Sequence, residues 1–316
     1  MELPWTRLRR KGIMGLNERN ADFILPYNRR HNYPLVDNKF LTKELAVQAG
    51  IPVPQLYGRI EIVHQIEELS DLLGEYEDFV IKPAHGAGGE GILIITGRQN
   101  GRYRKANGML IDADELGHHI SNILGGMYSL GGLADTALIE YRIKFDPIFM
   151  NISYQGVPDI RTLVFLGIPV LAMIRLPTRL SDGKANLHQG AIGVGIDLAT
   201  GKTCSGVWNE RTISQHPDTG GVVIGRMIPC WDEILAMTAK CHDFAGLGFI
   251  GVDIVLDEDY GPMMLEINAR PGLSIQLANC MGLLPRLRHV EALKDIPESV
   301  SERVQIAKNI ARYMTG

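Results

Sequence analysis

The sequence predicts an α+β fold, and three observations lead to it. Apolar runs of strand length occur in pairs, separated by isolated helical patterns rather than alternating with them. The stretch 251–272, GVDIVLDEDYGPMMLEINARPG, reads as a β-hairpin around the turn-rich segment 257–262. A glycine-rich loop at 85–91 lies between two further runs of strand type. At 316 residues the chain can build two or three lobes, each with its own core.

Taken in order, residues 1–37 are polar with little periodicity and predict short helical or irregular structure. Asp37 and Asn38 mark a helix start, and helical spacing over 39–49 ends at Gly50, ahead of Pro52 and Pro54. Residues 61–73 read as a second amphipathic helix. Strands are expected at 79–83, 92–96 and 137–143, with a helix over 112–124 between the last two. The middle is strand-rich, at 161–166, 170–175 and 191–196, and a turn at 197–202 leads to a return strand at 203–207. A helix over 231–245 leads into the hairpin. A short helix at 274–281 and an amphipathic one at 301–314 close the chain. There are no internal repeats.

Composition narrows the function classes. The net charge of −4 and the lack of a long basic stripe argue against nucleic acid as partner. Cys204, Cys230, Cys241 and Cys280 are scattered, which argues against a zinc site or disulfide framework and for reduced thiols in a cytoplasm. No apolar run reaches membrane-spanning length, and the first fifteen residues lack the apolar core of a signal peptide. The expectation is a soluble cytoplasmic protein.

The hairpin carries the strongest chemical signal. Counting symmetrically about its turn puts Asp253 opposite Glu266, and strand period two puts Asn268 on the face of Glu266. Two carboxylates and an amide oxygen among apolar neighbours suit Mg²⁺ or Mn²⁺. On spacing alone, acids that merely face water are an equal alternative. The cation Arg270 just beyond favours an anionic substrate nearby. The loop HGAGGEG formally satisfies G-x-G-x-x-G, but a dinucleotide site needs a helix directly after it. Here ILIIT follows, so a flap offering backbone N–H groups to phosphates is the better reading, with Lys82 just before it. Gly201, Lys202 and Thr203 lack the upstream glycine of a P-loop and read as a hairpin turn.

A strand lysine, a glycine flap and a later Asp/Glu/Asn hairpin together resemble the ATP-grasp superfamily of carboxylate–amine ligases. DNK at 37–39 with Leu45 and GIPVP at 50–54 looks like that family's opening helix. PDIR at 158–161 and ANLHQGA at 185–191 resemble the branch of α-L-glutamate ligase-related proteins, similar to enzymes that add glutamate to a ribosomal protein. The likeness spans residues 37–285. It implies two α+β lobes gripping ATP, at 39–140 and 141–316, after a truncated N-terminal segment at 1–38. It further implies that Lys39 and Lys82 contact ATP phosphates under a flap formed by Gly86, Gly88 and Gly89. Adenine would meet backbone groups of Tyr141 and Ile143, and the Glu140 carboxylate. Asp253, Glu266 and Asn268 would hold Mg²⁺, and Arg161, Arg175, Asn186 and Arg270 would face an acyl phosphate and a substrate carboxylate. Without the motif, Arg161 and Arg175 read as strand-face salt bridges, and His188 as a structural histidine.

The implied activity is ATP-dependent formation of an amide from a carboxylate and an amine, glutamate or a similar amino acid among them, with release of ADP and phosphate. Substrates would be small molecules or peptides. Family members carry a whole α/β domain before the first lysine, where 38 residues stand here. Acceptor recognition would then fall to a second copy or another protein. A competing reading is an ATP-binding regulatory or scaffold protein on the same fold, with little turnover. A dinucleotide-dependent oxidoreductase would require residues 92–96 to be helical.

Overall fold

The computed structural model describes residues 4–74, 76–86 and 88–314. The chain forms two compact units, one made of Asn38–Phe40 and Val53–Ile143, the other of Met1–Asp37, Leu41–Pro52 and Lys144–Gly316. The helix Lys39–Gln48 therefore begins in the smaller unit and continues in the larger.

The smaller unit is a six-stranded antiparallel sheet ordered β1-β6-β2-β3-β4-β5. Its strands are β1 (Leu56–Ile60), β2 (Phe79–Pro83), β3 (Leu93–Gln99), β4 (Arg102–Lys105), β5 (Leu110–Ile111) and β6 (Ala137–Glu140). The helix Ala113–Leu124 buries Leu116, Ile120, Ile123 and Leu124 at helical spacing into one core with Phe79, Ile81, Ile95 and Ile139. Its start is set by a capping box: Asp112 accepts from the Glu115 N–H at 2.9 Å, and Glu115 from the Asp112 N–H at 3.0 Å.

Two of the expected elements here take a different form, and β1, β4 and β5 are not among the expected strands. Residues 61–73 are not one helix but two short pieces, Val63–Ile66 and Leu69–Leu72. The Gln65 side chain accepts from the N–H groups of Glu61 at 2.7 Å and Ile62 at 3.1 Å, a local bond that starts a 3₁₀ turn instead of an α-helix. The strand expected to reach 143 ends at Glu140.

The larger unit holds a seven-stranded sheet ordered β11-β10-β9-β8-β7-β12-β13, again antiparallel throughout. Its strands are β7 (Asp159–Phe165), β8 (Ile168–Leu176), β9 (Ile192–Ile196), β10 (Thr203–Trp208), β11 (Arg211–Ile213), β12 (Phe249–Asp257) and β13 (Gly261–Asn268). The helix Trp231–Ala245 matches its predicted span. The N-terminal segment is sewn to the unit by buried bonds. Asn28 exchanges hydrogen bonds with the backbone of Phe249 at 2.7 and 2.8 Å and donates to the Ala269 carbonyl at 2.9 Å. Gln276 bonds both backbone groups of Met14, at 2.9 and 3.0 Å. Phe23, Phe165, Phe249 and Leu287 form a common core beneath that segment.

Candidate functional site

In the larger unit, strand register assembles a band of charge on one sheet face. Asp159 and Arg161 lie two apart on β7 and so share a face. Register places Arg175 opposite Asp159, Asp253 opposite Arg161, Glu266 opposite Asp253, and Asn268 opposite Gly251. Farther along β7 the same face carries the core residues Leu163 and Phe165. One surface thus serves as core at one end and as polar site at the other.

Within the band, the Arg161 guanidinium grips Asp253 with two parallel bonds, at 2.7 Å from Nε and 2.5 Å from Nη2. Arg175 grips Asp159 in the same way and reaches Asp253 with Nη2 at 2.8 Å. Asn268 Nδ2 donates to Glu266 at 3.2 Å and to Asp253 at 3.4 Å. Burial alone would raise the Asp253 carboxyl, but the two guanidiniums hold it well below the usual carboxylate range. Asp159 has Arg175 but also faces the Asp253 charge. Burial and that repulsion push it up to about 7 despite its guanidinium partner. Burial would lower Arg175, yet Asp159 and Asp253 hold it above its ordinary value.

The donor set fits a hard divalent cation in chemistry. Glu266 is about one-third exposed and lies 3.8 Å from Arg161, and three carboxylates face two guanidiniums, so the ionised band lacks one positive charge. Glu266 and Asn268 carry side-chain oxygens that neither guanidinium holds at hydrogen-bond distance. Both oxygens of Asp253 hold guanidiniums, so Asp253 stands as the arginines' counter-ion and would join a cation only as that grip loosens. Among the described residues no group of three or more His, Cys, Asp or Glu side chains is arranged to hold a metal.

The remaining expected residues of this unit lie elsewhere in its contact pattern. Asn186 Oδ1 accepts from the His188 N–H at 3.0 Å and caps the turn Leu187–Gln189. Exposed Arg270 stacks on the Tyr33 ring at 4.5 Å. No hydrogen bond among the described residues ties either to the band. Gly201 sits in the β9–β10 turn at positive φ, its N–H bonded to the Asp197 carbonyl at 2.8 Å, as the hairpin reading predicts.

In the smaller unit, the glycine loop joins antiparallel β2 and β3. No helix follows it, which removes the dinucleotide reading. Ala87 lies outside the described residues, whereas Gly88 and Gly89 adopt positive φ. The loop is fastened at both ends. At its start, Asp135 accepts from the His85 N–H at 3.1 Å, His85 Nδ1 at 2.8 Å, Ser129 Oγ at 2.5 Å and the Thr136 N–H at 2.7 Å. Burial would raise this carboxyl, but those donors hold it below its ordinary value. At its end, His119 donates through Nε2 to the Gly91 carbonyl at 3.0 Å, and burial lowers its pKa. Lys39 Nζ donates to the Gly86 carbonyl. Lys82 Nζ pairs with Glu140 at 2.8 Å, nearly out of solvent. The Tyr141 N–H is donated to the Gln55 carbonyl at 2.8 Å.

Sequence reasoning passed over Asp135 and Asp159. Asp159 was legible, since period two places it beside Arg161. Asp135 carries no local signal, because its partner His85 is fifty residues away.

Residues 18–292 match the sugar-transfer associated ATP-grasp family. The chain belongs to that family. The sequence is 23% identical over 322 residues to a cyanophycin synthetase of Crocosphaera subtropica, covering 89% of this chain and 33% of that protein. It is 25% identical over 236 residues to a probable alpha-L-glutamate ligase of Maridesulfovibrio salexigens, covering 75% of this chain and 56% of that one. The ATP-grasp chain thus spans about one-third to just over half the length of these curated relatives. Among solved structures it resembles the ATP-grasp ligase PsnB complexed with a minimal precursor (TM-score 0.45, 15% identity, 83% of this chain and 60% of that chain). It also resembles the D-cycloserine synthetase DcsG (TM-score 0.44, 15% identity, 86% and 71%). No helix among the described residues is long and apolar enough to cross a membrane.

Proposed function

We propose that this ATP-grasp protein is an ATP- and Mg²⁺-dependent carboxylate–amine ligase. The observation that carries the reading is the band Arg175–Asp159–Arg161–Asp253–Glu266–Asn268, two guanidiniums pre-oriented beside a carboxylate and an amide on one sheet face. In the reaction, a substrate carboxylate oxygen takes the γ-phosphoryl group and ADP leaves. An amine then attacks the acyl carbon, a proton is lost and phosphate departs. Mg²⁺ would supply charge neutralisation at the phosphates, with Glu266 and Asn268 holding it.

The chain's own groups have definite tasks in this scheme. Lys39, Lys82 and the N–H groups of the loop Gly86, Gly88 and Gly89 bind the phosphates, while Glu140 keeps Lys82 extended. Backbone groups of Tyr141 and Ile143 receive adenine. Arg161 and Arg175 stabilise the developing oxyanion, and because Asp253 and Asp159 already fix their forks, little reorganisation is needed as charge develops. Arg270 and Asn186 face the substrate. Glutamate is the first amino acid to try, on the strength of the sequence likeness to a probable alpha-L-glutamate ligase.

The test is ADP release from Mg²⁺-ATP by the purified protein, across the twenty amino acids singly and in pairs, with Glu266→Ala as control. Amino-acid-dependent ADP that disappears in the variant supports the ligase. ATP bound without turnover in any pair would favour a nucleotide-binding regulatory protein, the reading that the engaged state of Asp253 supports. Failure to bind ATP would overturn both.

A further inference from the structure

The larger unit brings two cations together where, among the described residues, no acid pairs with either. Arg19 starts the π-helix Arg19–Ile24, a conformation that is rare and found often at functional sites. Its Nη1 donates to the Pro271 carbonyl at 2.8 Å, and its Nε and Nη2 donate to Asn20 Oδ1 at 3.1 and 2.8 Å. Those bonds use three of its five N–H groups and leave one on each terminal nitrogen. Arg270, the residue before Pro271, makes no hydrogen bond to the described residues and is held by the Tyr33 ring. Neither guanidinium has a carboxylate partner among the described residues. Burial, and then the charge of Arg270, lower the Arg19 pKa, as expected of neighbouring like charges.

This placement is built. Asn28 fastens the N-terminal segment to Phe249 and Ala269, and the Pro271 carbonyl fixes the Arg19 head beside the residue that follows Arg270. The Arg19 guanidinium fixed by the Pro271 carbonyl and the Arg270 guanidinium stacked on Tyr33, two residues beyond Asn268, keep open donors that match a planar or tetrahedral oxyanion. We propose that Arg19 and Arg270 form an anion-binding subsite for a carboxylate or phosphate group of the acceptor substrate. The inference rests on the ligase reading for the word acceptor, though not for the binding itself.

The experiment is calorimetric titration of the full chain, without nucleotide and at constant ionic strength, with sodium L-glutamate and separately with sodium phosphate. Wild type should bind at least one, and which one it binds identifies the oxyanion as carboxylate or phosphate. Arg19→Gln, which keeps a neutral donor for the Pro271 carbonyl, should weaken that binding about tenfold or more, and Arg19→Lys should restore only part of it because an ammonium lacks the fork. Arg270→Gln should weaken it similarly, and because Arg270 makes no hydrogen bond among the described residues it serves if Arg19→Gln proves unfolded. ATP affinity measured separately should be unchanged in the Arg19 variants. Wild type binding neither anion at tens of millimolar, or both Gln variants binding as wild type does, would overturn the subsite. Loss of ATP binding in wild type would overturn the ligase reading and leave the subsite standing.

Discussion

Asp253→Asn tests the central claim about the charge band. The Asp253 carboxylate, 2% exposed, accepts three guanidinium bonds at 2.5–2.8 Å. Asparagine keeps its size but removes the charge and turns an amide N–H₂ toward one donor. Arg175 retains Asp159, whereas Arg161 is left with Glu266 at 3.8 Å. Breaking a buried pair from one side costs about 3–5 kcal/mol. At about 2–4 °C per kcal/mol for a unit of this size, its melting temperature should fall about 6–20 °C. Differential scanning calorimetry of the whole protein, with circular dichroism to confirm secondary structure, reads the shift. The pH dependence supplies a second check. A carboxyl depressed in the folded state stabilises above its unfolded pKa of about 4, and that contribution disappears as pH falls through the folded value. The gap between wild type and variant should therefore close in acid. A melting temperature unchanged at neutral pH would refute the view that Asp253 is the arginines' counter-ion.

Asp159 should show the opposite trend. Its carboxyl is raised to about 7, so as pH climbs from about 4 to about 7 the unfolded chain ionises first and stability is lost. Asp159→Asn should gain stability relative to wild type across that window in urea titrations, and a constant difference would contradict the raised value. Asp135→Asn removes the charge that gathers His85, Ser129 and Thr136, so the amides of His85 and Thr136 should exchange hydrogen faster by about tenfold or more, the equivalent of about 1.5–3 kcal/mol. Unchanged protection would show the loop anchored otherwise. In Gly86→Ala the new Cβ would lie 2.2 Å from Pro83 Cγ, and the smaller unit should lose about 1–3 kcal/mol in denaturant titration. Equal midpoints would mean that the loop start yields freely.

Legibility in the sequence followed whether an element's partners were near or far. The helix Trp231–Ala245, buried along one stripe, and the strands β8, β9 and β12, buried almost throughout, show in their own apolar patterns. β4 is hidden, since Arg102, Arg104 and Lys105 surround the single inward residue Tyr103. The pairing of Asp253 with Glu266 is right, although the turn behind it is tighter than the symmetric count assumes. Asp257 pairs with Gly261, not Pro262, and an extra residue at Leu265 restores the expected partner. Arg161 and Arg175 are strand-face salt bridges as their position alone indicates, within the band that the motif marks. What no local pattern could reveal is the Asp135 anchor or the closeness of Arg19 to Pro271, both made by tertiary packing.

The bulge at Leu265 has a practical side. Asp257 helps to secure the turn, accepting from the N–H groups of Asp259, Tyr260 and Lys144 at 3.0, 3.1 and 2.9 Å. The acidic end of the hairpin is secured separately, by the arginines. Between the two, β13 already absorbs one surplus residue by bending. The hairpin is thus held at both ends, with the bulge at Leu265 between them. Shortening the strand at Leu265 would remove the bulge and still leave Glu266 opposite Asp253.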